Sequence, residues 1–520
     1  MEVYLSNKRY IYNMGLAFYN IVEKYQDKKA IIFDNLNSCT FDELNKLSNK
    51  IARFLLDNNI RQNDVICLFN KKSLFSYATM LAALKIGVIY SNLDFTSPAM
   101  RINKMLDTAR PSIIFNDSAL DISKFNLDNR KVINFASENF IQSIQDYDSG
   151  NLISITKTVC GNNGAYIMFT SGSTGFPKGA LMSHLNILNF ISWGIERYDV
   201  KTDDIFTNVN PIYFDNSVFD FYISLFSGAS LAPLPYELTQ FPKKIVEWVS
   251  LVKPTIWFSV PSFLVYLLTT KSLKEKDFQS LRIISFGGEG FPKQKLKQLF
   301  NLYGKRTKLI NVYGPTECTC ICSAYDITEK DFDDMKNFAP LGEIALNFKC
   351  QIIPIGHDCN MGELCLLGPQ VGLGYYNDLE RTKRSFVFNS DNVRYNEIIY
   401  LTGDLVRCDE NSVLHFIGRK DNQIKHLGYR IELEEIETSL NSLSYINQSA
   451  VIYKRIHSDF GQIIAFVKLN KDIDRAKIID DLKLYIPQYM LPNKLEILDE
   501  LPKNANGKID RIKLLEQSGG

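Results

Sequence analysis

The sequence lacks an excess of charge of either sign: 59 basic against 58 acidic side chains leave a formal charge of +1 over 520 residues. That balance supplies no long-range field for gathering nucleic acid or an anionic membrane, so neither is expected as a partner. Long apolar runs are missing as well, and no transmembrane helix is expected. The opening MEVYLSNKRYIYNMGLAFYN mixes charges and tyrosines with short apolar runs and has no signal-peptide core. Histidine is scarce, and His184, His357, His415, His426 and His457 never fall at metal-ligand spacing. Ten cysteines are scattered without a CxxC or framework spacing, the usage expected of a reducing, cytoplasmic setting. Cys318, Cys320 and Cys322 alternate, as on one face of a strand; with no histidine partner they read as small buried strand residues rather than metal ligands. No Gly-Lys pair precedes Ser or Thr at P-loop spacing, which excludes the ordinary nucleotide P-loop.

What is present begins with size. At 45% hydrophobic and 12% aromatic content the chain can bury large cores and is expected to divide into at least two domains. Its most informative stretch is Thr170 to Gly179, TSGSTGFPKG, directly after the apolar run Tyr166 to Phe169. Glycines let backbone N–H groups converge on an anion, the hydroxyls add donors, and Lys178 adds a mobile positive charge: a phosphate cradle. The alternative is a solvated Gly/Ser linker, but linkers seldom follow a buried-strand pattern and end in Pro-Lys-Gly.

Around the cradle, helix and strand patterns alternate. Leu44, Leu47, Ile51 and Leu55 stand at helical spacing behind a Thr40/Glu43 capping box, so a helix starts at Phe41. Val65 to Phe69 reads as a buried strand, Leu74 to Ile86 as a helix ended by Gly87, and Val88 to Leu93 as a strand. Arg101 to Ala109 and Ser112 to Phe115 repeat the alternation, which points to an α/β fold with a parallel sheet. Met182 to Ile195 reads as a helix, which would set the cradle on a strand-to-helix turn, with His184 as a surface or packing residue. From about Leu341, short runs such as Cys350 to Ile355 and Gly362 to Leu367 indicate a β-barrel-like part or a distorted sheet. Near Gly418 the texture changes to GRKDNQIKHLGYRIELEEIE, which places a boundary between a large unit, 1–417, and a small α+β unit, 418–520.

Two further segments carry chemistry. In NVYGPTE, Tyr313 offers a flat ring for a base, Thr316 a hydroxyl and Glu317 a hard oxygen suited to Mg²⁺. In YLTGD, Asp404 ends an apolar run where a carboxylate can accept hydrogen bonds from both ribose hydroxyls. Each alone is also an ordinary turn. Taken in order, TSGSTGFPKG, YFDNSVFD, NVYGPTE, GELCLLGPQVGLGYYN, YLTGD, the charged segment and LPKNANGKIDR resemble the motif series of the adenylate-forming enzymes. Within them, the series is similar to amino-acid adenylation domains of nonribosomal peptide synthetases and free-standing D-alanine:carrier-protein ligases. The match runs from about Phe41 to Lys513.

That resemblance implies a large N-terminal domain and a small mobile C-terminal domain that sandwich ATP and a carboxylic acid. Thr170, Ser171, Gly172, Ser173, Thr174, Gly175 and Lys178 would hold the phosphates. Asn311, Tyr313 and Gly314 would meet the adenine side, and Asp404 and Arg419 the ribose. Thr316 and Glu317 would serve phosphate and Mg²⁺, while Lys508 would reach the substrate carboxylate and α-phosphate. A cation between two reacting anions stabilises the transition state more than the separated ground state. The small domain is expected to swing about Asp421 after the acyl-adenylate forms, so that a carrier-protein phosphopantetheine thiol can approach beside Gly428. No carrier segment follows Lys508 in the dozen residues that remain, which implies a partner in trans.

By the same resemblance, Asp215 in YFDNSVFD would receive the α-ammonium of an amino acid, since a buried carboxylate calls for a cation. Its alternative is an N-cap for the following helix. Asn216, Phe219, Phe258, Ser285, Gly287, Val312, Cys320 and Ile321 would line the pocket. Two phenylalanines narrow it, Ser285 and Gly287 open one wall, and Asn216 brings an amide that an all-apolar substrate would leave unpaired. D-alanine ligases typically carry cysteine where Gly287 stands and an aliphatic residue where Asn216 stands, so this chain departs from them. The implied activity is amino-acid:carrier-protein ligation through aminoacyl-AMP. An acyl- or aryl-acid:CoA ligase and a non-catalytic nucleotide-binding module are the alternatives; Asp215 opposes the first, and the retained Lys508, Glu317, Asp404 and Asp421 oppose the second.

Overall fold

The computed structural model describes residues 10–33, 37–117, 121–127, 130–172, 175–356, 358–457, 460–504 and 509–518. Two large sheets form the body. One has nine strands, of which six are consecutive parallel neighbours: Lys308–Tyr313, Ile283–Gly287, Ile256–Ser259, Ile205–Asn208, Ser230–Pro233 and Lys29–Ile32. The other has seven, with Gly164–Thr170, Ile89–Asn92, Val65–Phe69, Ile113–Asn116 and Lys131–Asn134 in parallel. Strands such as Val65–Phe69 are buried at every position, as expected where helices cover both faces. The helix Phe41–Asp57 begins at the expected box: Thr40 accepts from the Glu43 N–H at 3.2 Å, and Glu43 accepts from the Thr40 N–H at 2.8 Å. Gly87 ends the helix Leu74–Ile86 at φ 72°, a left-handed conformation that glycine adopts without a Cβ penalty. Lys72 ties the sheets together, its buried ammonium donating to the carbonyls of Asn208 and Val209 at 2.7 and 3.1 Å.

The cradle departs from expectation. The chain leaves Gly164–Thr170, turns, and returns as the antiparallel strand Lys178–Ser183, with Thr170 opposite Lys178. The helix begins only at His184, where Ser183 caps the Asn186 N–H and the Asn186 side chain answers to the Ser183 N–H. Pairing with Gly164–Thr170 therefore takes Met182 and Ser183 out of the expected helix, and the cradle is followed by a strand rather than directly by a helix. His184 is fully buried, with Nδ1 accepting from the Met14 N–H at 3.1 Å, and burial pushes its pKa down to about 3. It is a packing residue.

The barrel-like part is a five-stranded antiparallel sheet distorted by register shifts, including one between Leu405 and Val406. Its last strand, Leu414–Arg419, pairs Arg419 with Asp404, and by Ile424 the chain already packs into a different core. That core joins the helix Leu433–Asn441 to one face of a three-stranded sheet through Ile436, Leu440, Val451, Ile463 and Val467. The opposite face carries Ala450, Ile452, Ile464 and Phe466, covered by Leu501, Ile509 and Leu514. No helix among the described residues is long and apolar enough to cross a membrane.

Candidate functional site

Open α/β sheets bind ligands outside the carboxyl ends of their parallel strands, and the motifs collect there. A cavity of about 500 Å³ is lined by Asn311, Tyr313, Asp404 and Arg419, with Phe338 and Ile424. Tyr313 donates to Asp404 Oδ2 at 2.5 Å, and Arg419 Nη1 donates to Asp404 Oδ1 at 2.8 Å. Arg419 also grips Asp421 with two hydrogen bonds of 2.8 and 2.6 Å. Burial alone would raise the Asp421 carboxyl, but that grip holds it below the usual carboxylate range. Asn311 Nδ2 donates to the Pro340 carbonyl at 2.7 Å, which leaves its Oδ1 as an acceptor. Gly314 lines the adjoining cavity described below.

The cradle, whose Thr170 and Ser171 line the adjoining cavity, is held by the small domain. Ser171 donates to the Arg430 carbonyl at 2.6 Å, and the Gly172 N–H donates to Glu435 at 3.3 Å. A Cβ on Gly175 would stand 2.4 Å from Thr438. Arg101 forms a buried ion pair with Glu435. Ser173, Thr174 and Lys508 lie outside the described residues.

Glu317 is the electrostatic centre of this region. It is fully buried, with Oε1 accepting from Tyr375 at 2.8 Å and facing Lys178 at 3.1 Å, while Oε2 accepts from Arg430 at 2.7 Å. Burial pushes its carboxyl up, but Arg430, Lys178 and the Tyr375 hydroxyl together hold it far below the usual carboxylate range. Burial in turn lowers Lys178, reinforced by Arg430 and opposed by Glu317.

The other end, a cavity of about 440 Å³, has Asp215, Asn216, Phe258, Val312, Cys320 and Ile321 in its wall. Thr316 donates to Asp215 Oδ2 at 2.6 Å. Asp215 makes no side-chain capping bond to the helix Asn216–Val218, so capping is not its use here. Burial raises its carboxyl, opposed by the Thr316 hydrogen bond and Arg430. The Asn216 Nδ2 has no hydrogen-bond partner among the described residues.

Three of the expected pocket residues stand behind this wall rather than in it. Phe219 is fully buried and packs edge-on against Phe258 at 5.0 Å. The Ser285 hydroxyl is spent on Tyr198 at 2.8 Å. A Cβ on Gly287 would stand 2.4 Å from the Val312 carbonyl oxygen, so glycine there lets adjacent strands approach. Cys318, Cys320 and Cys322 are buried but do not form a strand: Thr319 and Cys320 have φ of 61° and 75°, which turns the chain. No group of three or more His, Cys, Asp or Glu side chains among the described residues could hold a metal.

The residues that sequence reading overlooked come mainly from the two-stranded ribbon Gln423–His426 and Tyr429–Glu432. Lys425 and Arg430 are paired across it and both enter the site, Lys425 with its ammonium 5.6 Å from the Tyr313 ring centre. Their signal was present in IKHLGYRIE as cations alternating with apolar residues, the strand period that aims side chains to one face.

Comparison with known proteins gives the family. The AMP-binding enzyme family profile matches residues 18–376, and that of the AMP-binding enzyme C-terminal domain matches residues 435–508. The chain belongs to the AMP-binding enzyme family. It is 31% identical over 518 residues to the L-proline--[L-prolyl-carrier protein] ligase of Pseudomonas fluorescens, covering 96% of this chain and 97% of that protein. It is 32% identical over 504 residues to bacitracin synthase 3 of Bacillus licheniformis, covering 95% of this chain but only 8% of that much longer protein. Among solved structures, the Vibrio cholerae adenylation domain AlmE, in complex with glycyl-adenosine-5'-phosphate, superposes with a TM-score of 0.79 at 21% identity, covering 99% of each chain. At that identity the likeness speaks to the fold.

Proposed function

We propose that this chain activates a free amino acid with ATP as aminoacyl-AMP and passes the aminoacyl group to the phosphopantetheine thiol of a separate carrier protein. The observation that carries the reading is Asp215, a half-buried carboxylate in the cavity wall that accepts from Thr316 and forms no ion pair among the described residues. An α-ammonium is the group that such a carboxylate lacks. A fatty or aryl acid would leave it unpaired, which opposes the CoA-ligase alternative. Relatives named as carrier-protein ligases support the same reading.

In the first step, the substrate carboxylate attacks the α-phosphorus; the new P–O bond forms as the bond to pyrophosphate breaks. Asp215 orients the acid, Asn311 and Tyr313 hold the base, and Asp404, fixed by Arg419, accepts from the ribose. The cradle and Lys178 hold the departing phosphates, and Lys508 offsets the charge of the two converging anions. In the second step the thiol, losing its proton, attacks the acyl carbonyl, and AMP departs as the leaving group. We place the domain boundary at residue 418 and the hinge at Asp421, between the strand ending at Arg419 and the ribbon starting at Gln423.

Glu317 fits a Mg²⁺ carried by the nucleotide: it is a hard, strongly ionised carboxylate, and Mg²⁺ commonly takes one protein carboxylate plus phosphates and water. Bound there, the metal would neutralise phosphate charge. Arg430 now holds the Glu317 Oε2, so we read this arrangement as the one that follows pyrophosphate release. The helix Leu433–Asn441 of the small domain meets the cradle through Glu435 and Thr438, which supports that reading. Ten free cysteines fit a reducing compartment, which we take to be the cytoplasm.

Asp215→Ala tests the substrate assignment. Amino-acid-dependent pyrophosphate exchange is expected to fall about thirtyfold in kcat/KM, the effect of removing one partner of an enclosed charge pair. An unchanged kcat/KM would remove Asp215 from the ammonium site.

A further inference from the structure

Glu289 borders the cavity lined by Asn311 and Tyr313 and has been given no role above. It follows the strand Ile283–Gly287, and its carboxylate joins two backbone N–H groups from the two domains. Oε1 accepts from Ser262 in the first turn of the helix Pro261–Thr269 at 2.7 Å, and Oε2 accepts from Gly428 in the ribbon turn at 2.8 Å. The fit at Gly428 is close: φ is 81°, and a Cβ there would stand 2.8 Å from Val260. Leu427, Gly428 and Tyr429 face Val260 and Phe263 across one side of the cavity that holds Asp215. Tyr429 is fixed in turn by stacking on Tyr489 at 3.7 Å.

We propose that Glu289 is a positioning residue for the second half-reaction: it docks the Gly428 turn and thereby sets the wall along which the acceptor thiol reaches the acyl carbonyl. The inference rests on the two-step reaction proposed above. Ser262 holds one carboxylate oxygen within the large domain, so the other is already aimed when the small domain arrives. A carboxylate accepting from a backbone N–H makes a charge-assisted bond, stronger than a neutral one. When the small domain turns to bring Lys508 to the nucleotide, Gly428 departs and this bond is not made. The bond from Gly428 to Glu289 therefore favours one state of the cycle and contributes nothing to the first transition state.

The test separates the two half-reactions in the full chain. Pyrophosphate exchange with the best amino-acid substrate reports the first. Single-turnover transfer from the preformed adenylate to free pantetheine, read as aminoacyl-pantetheine by mass spectrometry, reports the second. For Glu289→Ala, exchange is expected to stay within twofold of wild type while transfer falls about tenfold, the loss of one charge-assisted hydrogen bond. Glu289→Gln should fall between, because its amide oxygen still accepts one N–H. Gly428→Ala should show the same split, and the double variant should be no slower than the slower single.

Transfer within twofold of wild type in both Glu289 variants would overturn the assignment. So would exchange and transfer falling in parallel with the thermal midpoint, the mark of a purely structural helix cap. If wild type exchanges with amino acids but never loads pantetheine, the acceptor reading fails and the role of Glu289 falls with it. If wild type exchanges only with other acids, the amino-acid reading fails instead, and Glu289 is judged by the same ratio on those acids.

Discussion

Replacing Lys508 with alanine is expected to reduce pyrophosphate exchange about a thousandfold, while ATP binding weakens far less. The magnitude is that of removing one preorganised group from a developing charge in an enclosed site. The distinction between rate and binding is physical. In the ground state the substrate carboxylate and the α-phosphate are separate anions that water and other cations can serve; in the transition state they share oxygen, and a cation between them gains most. Equal losses in ATP affinity and in rate would make Lys508 a binding residue. Lys178 provides the contrast. It shares Glu317 with Arg430 and is proposed above to hold the leaving phosphates, so Lys178→Ala should cost exchange much less than Lys508→Ala.

Glu317→Gln is expected to damage both stability and exchange. The carboxylate is enclosed by Lys178, Arg430 and the Tyr375 hydroxyl, and neutralising it leaves two buried cations facing each other. Breaking such a pair from one side typically costs about 3–5 kcal/mol, and exchange should fall at least about a hundredfold once the proposed metal ligand is weakened. A pH dependence follows with a definite sign. Because the folded-state pKa of Glu317 is depressed from an ordinary 4.5, its contribution to stability is fully present above about pH 5. Below that, the unfolded chain takes up the proton first, and the contribution declines as pH falls toward the folded-state pKa. Urea unfolding between pH 7 and pH 3.5 should show wild type losing more stability than Glu317→Gln. Equal slopes would mean that Glu317 is not held ionised by its neighbours.

Much of the fold was legible because local signals and tertiary packing agree. Thr40 and Glu43 cap the helix they announce, Gly87 ends the next, and the buried strands follow the apolar runs. The ordered motifs likewise converge on one site: Asn311, Tyr313, Asp404 and Arg419 meet although far apart in sequence. The departures have a common cause. The helix expected from Met182 starts only at His184, because Lys178–Ser183 pairs with a neighbouring strand, and pairing is not encoded locally. Ser285 has the size of a pocket residue, yet Tyr198 on the other side claims its hydroxyl. Arg430 and Lys425 belong to the charged segment that marked only a domain boundary in the sequence; their pairing across the ribbon and the ribbon's contact with the large domain bring both to the site.

Pyrophosphate exchange across a panel of common amino acids in both enantiomers, fatty acids and aryl acids tests the central claim most directly. The account predicts ATP-dependent exchange with one amino acid or a few related ones, and none with acids that lack an α-amino group. Exchange confined to fatty or aryl acids would contradict it.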